Sequence, residues 1–159
     1  MSDRIKEIIT RESVQTLEKL AFIFAMPEEE DTEPEGEEAF AVAVDFTGPF
    51  SGSMLIRYPV EDLDELAVNM LGIDDEEEIT GDQKIDALKE TVNIICGNVL
   101  PAIGGKTAVF DISAPMFVDE SEPRPDISAA VKVQLGLDEG MAFIFLMFDD
   151  GVPEIEPEQ

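Results

Sequence analysis

Between Thr80 and Gly105 the chain carries the pattern of one long amphipathic helix, and this limits the folds open to it. Ile85, Leu88, Val92, Ile95 and Val99 recur in a three-four-three-four rhythm. A helix turns about 100° per residue, so that rhythm draws a single apolar stripe, and the stripe must be buried against a sheet. Thr80 and Gln83 have the spacing of a capping box, and Asp82 suits the positive end of the helix dipole. Pro101 ends or kinks the helix, with Gly104-Gly105 as exit residues.

The rest of the chain supplies what covers that stripe. A first helix is expected over about Asp3 to Ala25, with Ile5, Ile8, Ile9, Leu17, Leu20 and Phe24 at helical spacing. Phe40, Val42, Val44 and Phe46 alternate with Ala41, Ala43 and Asp45, which is a strand with one strongly apolar face. Gly48-Pro49 turns the chain into a second strand through Met54, Leu55 and Ile56 to Tyr58. A short helix over about Val60 to Leu71 packs Leu63, Leu66, Ala67 and Met70, and Gly72 suits its end. After the long helix come three more strands: Ala108 to Val118, Ile127 to Leu135, and Met141 to Phe148.

Such an order predicts an α+β fold, a mostly antiparallel sheet with two long helices and one short one laid across it. A helix followed by a hairpin occurs twice, the trace that an internal α-β-β duplication would leave. Residues 1–151 are read as one domain, and 152–159 as an acidic, mobile tail.

Composition removes whole classes of function. The chain has no histidine, so Ser-His-Asp and Cys-His catalysis and histidine-bearing zinc sites are excluded. The single cysteine, Cys96, allows no internal disulfide and lies beside the apolar stripe, where a buried thiol is expected. Thirty-seven acids against ten bases give a net charge of -27, a field that repels nucleic acid and anionic membrane surfaces. The acids gather in loops, as a solubilising surface does. Gly105-Lys106-Thr107 is not a phosphate-binding loop: Leu100 stands where its first glycine is needed, and the segment leaves a helix rather than opening one. Asp149-Asp150-Gly151 lacks the spacing of a calcium loop. The start of the chain lacks the apolar core of a signal peptide and no run is long enough to cross a bilayer, so a cytoplasmic protein is expected.

Opposite the stripe, Asp86, Glu90, Asn93 and Gly97 recur at four, three and four. A polar outer face needs no function by itself. Asparagine and glycine are nevertheless poor choices for a merely solvated helix, because each costs helix propensity. Gly97 also leaves the surface low, so another molecule could approach closely.

The segment Asp-Ala-Leu-Lys-Glu-Thr-Val-Asn-Ile-Ile-Cys-Gly-Asn, residues 86 to 98, resembles the signature of the CheC, CheX and FliY phosphatases: Asp or Ser, three residues, Glu, two residues, Asn, and a proline further on. Asp86, Glu90 and Asn93 supply it, with Pro115 as the proline. Val-Phe-Asp-Ile-Ser-Ala-Pro, residues 109 to 115, is similar to CheX in particular. CheC-type members carry the motif in both halves, whereas here the first helix offers only Ser13 and Glu18, at the wrong spacing.

The resemblance implies a CheC-like fold and a homodimer joined through sheet edges. It also implies dephosphorylation of a phospho-aspartyl, CheY-type response regulator. Glu90 and Asn93 would be the catalytic residues, Asn93 orienting the attacking water and Glu90 pairing with the regulator's lysine. Asp86 and Gly97 would complete the partner-binding face. No cofactor or metal of its own is expected, because the regulator brings Mg²⁺. The alternative on the same fold is a non-catalytic adaptor or motor-switch module.

Overall fold

The computed structural model describes residues 2–28, 38–72, 79–118 and 130–153. Its elements are α1 (Ser2–Ala21), β1 (Met26–Pro27), β2 (Ala39–Thr47), β3 (Gly52–Pro59), α2 (Val60–Leu71), α3 (Gly81–Gly104), β4 (Asp111–Ile112), β5 (Met116–Val118), β6 (Val131–Gly136) and β7 (Met141–Phe148). The strands form one sheet in the order β1-β6-β7-β3-β2-β4, with β5 also on β2, and every pairing is antiparallel. The expected α+β architecture, with two long helices and a short one, is what forms.

Alternation places Val42, Val44 and Phe46 of β2, Met54, Ile56 and Tyr58 of β3, and Ala142, Ile144 and Leu146 of β7 on one face. The helices close that face. α3 lies over β2 and β3, α1 over β6, and the two helices touch each other and α2. The stripe of α3 is buried there, through Leu88, Val92, Ile95 and Val99. Four rings, Phe46, Phe50, Phe110 and Phe148, plug the end of this core where α3 exits, with centroids 5.0 to 6.5 Å apart. Gly104 makes room for the plug, since a Cβ there would lie 2.9 Å from Phe110 Cζ. The reverse face is apolar as well: Ala41, Leu55, Phe143 and Phe145 are buried on it. Strand β7 is therefore buried on both sides, as a continuous apolar run implies.

Two expectations need correction. The first helix ends at Ala21, not Ala25. Phe22 leaves it in the left-handed region (φ 55°), its N–H returning to Glu18 O at 3.0 Å. The chain then alternates, burying Ile23 and Ala25 and leaving Phe24 70% exposed rather than in the core. That extended run becomes β1, an edge strand the sequence reading did not foresee. Second, the strand expected over Ala108 to Val118 is two short pieces on β2, separated by Ser113-Ala114-Pro115, where proline has no N–H to give a ladder. β6 is described from Val131; the earlier part of its expected span, Ile127 to Ala129, and the tail from Glu154 lie outside the described residues.

Candidate functional site

Helix α3 is fixed before any of its outer residues act. The capping box forms as the spacing predicts: Gln83 N–H donates to Thr80 Oγ1 at 3.1 Å, and Thr80 N–H donates to Gln83 Oε1 at 2.9 Å. Lys84 pairs with Asp64 of α2 at 2.7 Å. Thr91, buried on the inner side, donates to Ala87 O and reaches Met70 Sδ at 3.3 Å. These ties hold the helix to α2 along its N-terminal half, and the aromatic plug holds its other end. Side chains carried on the outer face therefore stand on a rigid base.

Asp86, Glu90, Asn93 and Gly97 are all exposed. At about 100° per residue they fall within about 60° of arc, so they form one narrow row. Among the described residues none of the three side chains has a hydrogen-bond or ion-pair partner, which leaves each available to another molecule. Glu90 and Asn93 are three apart, with Cβ atoms about 5–6 Å from each other. A Cβ on Gly97 would meet nothing within 4 Å, so no contact among the described residues explains a glycine there.

Pro115 sits in the loop between β4 and β5, on the sheet edge that α3 touches. That loop is pinned to β2: Ser113 N–H donates to Asp45 O at 2.8 Å, and Asp45 N–H donates to Ser113 Oγ at 2.9 Å. Asp45 in turn accepts from Ser53 Oγ at 2.6 Å. The sequence reading missed these supports, although Asp45, a charge inside an apolar strand, was a visible signal.

Elsewhere chemistry is sparse. Burial pushes the Cys96 thiol up to about 12, so no thiolate nucleophile lies under the row. Tyr58 is buried, and burial together with Asp62, Glu65 and Asp138 pushes its phenol far above the usual range. Among the described residues no group of acids or cysteine is placed to hold a metal ion, and no helix is long and apolar enough to cross a membrane. Ser13 of α1 is buried and donates to Ile9 O at 2.6 Å, so it presents nothing outward.

Solved structures similar to this one place the fold in the CheC-like class. CheX of Desulfovibrio desulfuricans superposes with a TM-score of 0.74 at 16% identity, covering 92% of this chain and 99% of that one. The CheX of the CheX-CheY-BeF3-Mg complex of Borrelia burgdorferi gives 0.68 at 23% identity, covering 89% and 96%. Thermotoga maritima FliY gives 0.59 at 17% identity, covering 94% and 90%. No curated protein sequence matches the chain. Residues 40–135 match the family model described as chemotaxis phosphatase CheX, and the chain belongs to that family.

Proposed function

We propose that the chain is a protein aspartyl-phosphate phosphatase that acts on a CheY-type response regulator by docking the outer row of α3 into the regulator's active site. The observation that carries this is the pairing of Glu90 and Asn93, exposed, one turn apart and without partners among the described residues, on a helix braced at both ends.

The division of labour follows from charge. Phosphoryl transfer needs cations where negative charge develops on the phosphoryl oxygens. A chain with net charge -27 and no histidine is poorly equipped to supply them. The regulator contributes Mg²⁺ and a lysine, and this chain contributes water positioning. The carboxamide of Asn93 accepts from and donates to the attacking water, holding it in line with the acyl phosphate. Water adds at phosphorus, the bond from phosphorus to the aspartyl oxygen breaks, and the carboxylate leaves with that electron pair. Both water hydrogens remain on the inorganic phosphate released. Glu90 pairs with the regulator's lysine and fixes the register, while Asp86 and Gly97 shape the surface around them. Positioning of this kind is worth several kcal/mol.

The test is decay of a phosphorylated regulator with wild type and with Asn93→Ala, across the regulators of the same genome. Asn93→Ala should leave folding intact and abolish most of the acceleration; unchanged turnover sinks the proposal. Regulator binding without any change in phosphoryl lifetime would instead favour the adaptor or motor-switch alternative.

The proposal includes action in the cytoplasm and a homodimer joined through sheet edges. Phe24 and Met26 support the dimer, being exposed apolar residues in and beside edge strand β1. Sedimentation of Phe24→Asp tests it, since loss of dimer is expected and an unchanged mass would refute that interface.

A further inference from the structure

Helix α3 carries two cations, and they are in different situations. Lys84 is held by Asp64 at 2.7 Å, while Lys89 has no ion pair or hydrogen bond among the described residues. Lys89 could have paired with Asp86 three residues back and does not. It is half-buried, so its stem lies against the fold and has less freedom to lose on binding.

Its position relative to the row is specific. Lys89 and Asn93 are four residues apart on one helix, which brings their Cβ atoms to about 5–6 Å. Glu90, three residues before Asn93, flanks it on the other side. Asn93 therefore stands between an acid and an amine. Glu90 offers a carboxylate to a cation of the partner, and nothing yet assigned uses the ammonium of Lys89. An aspartyl phosphate is a dianion, and it must approach a surface whose remaining exposed charges, Asp82, Asp86 and Glu90, are all negative. A free ammonium one turn from the water-positioning residue is the one cation on the outer face of α3, and it is able to reward the phosphoryl group itself.

We infer that Lys89 contacts the phosphoryl oxygens of the docked partner and is the residue by which this surface distinguishes the phosphorylated from the unphosphorylated regulator. The inference rests on the phosphatase reading above. Lys89 then acts on recognition and Asn93 on turnover, so their variants fail differently.

The experiment takes the regulator whose phosphoryl group the wild-type chain removes, and compares Lys89→Met, Lys89→Arg and Asn93→Ala. Methionine and arginine keep the helix propensity of lysine, so folding is preserved. Binding is measured to the unphosphorylated regulator and to the same regulator loaded with Mg²⁺ and beryllofluoride, and turnover to the acyl phosphate. Lys89→Met should weaken binding of the loaded form and raise KM by about tenfold, the scale of one partly screened charge-assisted contact. Affinity for the unloaded form and kcat should change little, and Lys89→Arg should restore the discrimination. Equal loss of affinity for both forms would overturn the inference, since it would make Lys89 a general docking charge. Unchanged affinity for the loaded form in Lys89→Met would also overturn it. Loss of turnover in Asn93→Ala alongside a silent Lys89→Met refutes the Lys89 assignment alone, whereas a silent Asn93→Ala refutes the phosphatase reading.

Discussion

Replacing Gly97 separates stability from function more sharply than any other change on α3. Glycine inside a helix costs about 1 kcal/mol relative to alanine, because its unfolded state has more backbone freedom to lose. Gly97 is exposed, and an added Cβ would meet nothing within 4 Å, so no clash offsets that gain. Gly97→Ala should therefore raise stability by about 1 kcal/mol, equivalent to about 2–4 °C in Tm for a domain of this size. Gly97→Leu should also fold, since leucine is a good helix former and residue 97 is exposed, with no described neighbour within 4 Å of an added Cβ. Both substitutions raise the surface beside Asn93 where a partner has to settle. The leucine should cut regulator dephosphorylation by at least about tenfold through KM, a cost comparable to a modest overpacking clash. Thermal melts by circular dichroism and phosphate release from the acyl-phosphate regulator measure the two effects separately. A Gly97→Leu chain that is stable and turns over like wild type would falsify the claim that the partner sits on this glycine.

Other consequences are purely structural. Asp62 is buried and accepts from Glu139 N–H at 3.1 Å and Gly140 N–H at 2.8 Å, tying α2 to the β6–β7 turn. Asp62→Ala strands both amides and should cost about 2–3 kcal/mol in urea denaturation, with turnover per folded molecule unchanged; a loss below 0.5 kcal/mol, by the usual spread of surface substitutions, would mean water replaces the carboxylate. Cys96 is raised from 9.0 to about 12 by burial, so the fold favours the neutral thiol. Its contribution to stability is complete below the unfolded pKa and is lost as pH rises from about 9 towards about 12. Cys96→Ala should flatten that limb of a stability-pH profile, and an identical profile in both proteins would remove the thiol as its cause.

The inner face of the fold was legible because a buried face leaves a period. The stripe from Ile85 to Val99, the alternation of Phe40 to Phe46 and the capping box at Thr80 each reported one direction, and each formed. The first helix was misjudged at its end because Leu17, Leu20 and Phe24 satisfy helical spacing, while Ile23 and Ala25 satisfy strand alternation. A left-handed Phe22, bonded back to Glu18, decides between the two, and no local rule anticipates that conformation for so bulky a residue. The row on α3 was legible as a spacing and as an outer face; its lack of partners among the described residues and the bracing by Asp64 and Thr91 depend on residues distant in sequence.

The repeated helix-then-hairpin order raises the question of why one half carries a site and the other does not. Ser13 and Glu18 were the residues α1 could offer, and Ser13 is turned inward with its hydroxyl spent on Ile9 O. The exposed positions of α1, with the residue that follows it, that reproduce the sequence spacing of Asp86, Glu90, Asn93 and Gly97 are Arg11, Gln15, Glu18 and Phe22. In place of the glycine stands a ring 72% exposed, in left-handed backbone just past the last helical residue. Chemistry and clearance are thus both missing, and they can be restored separately in an Asn93→Ala background. Arg11→Asp, Gln15→Glu and Glu18→Asn together install the three polar groups yet leave Phe22 blocking the approach, so that chain should remain inactive. Adding Phe22→Gly, which also suits the positive φ, opens the surface and should give measurable regulator dephosphorylation. Equal activity with and without Phe22→Gly would show that clearance is irrelevant, and inactivity of both would show that spacing on an exposed helix does not suffice without a braced base like that of α3.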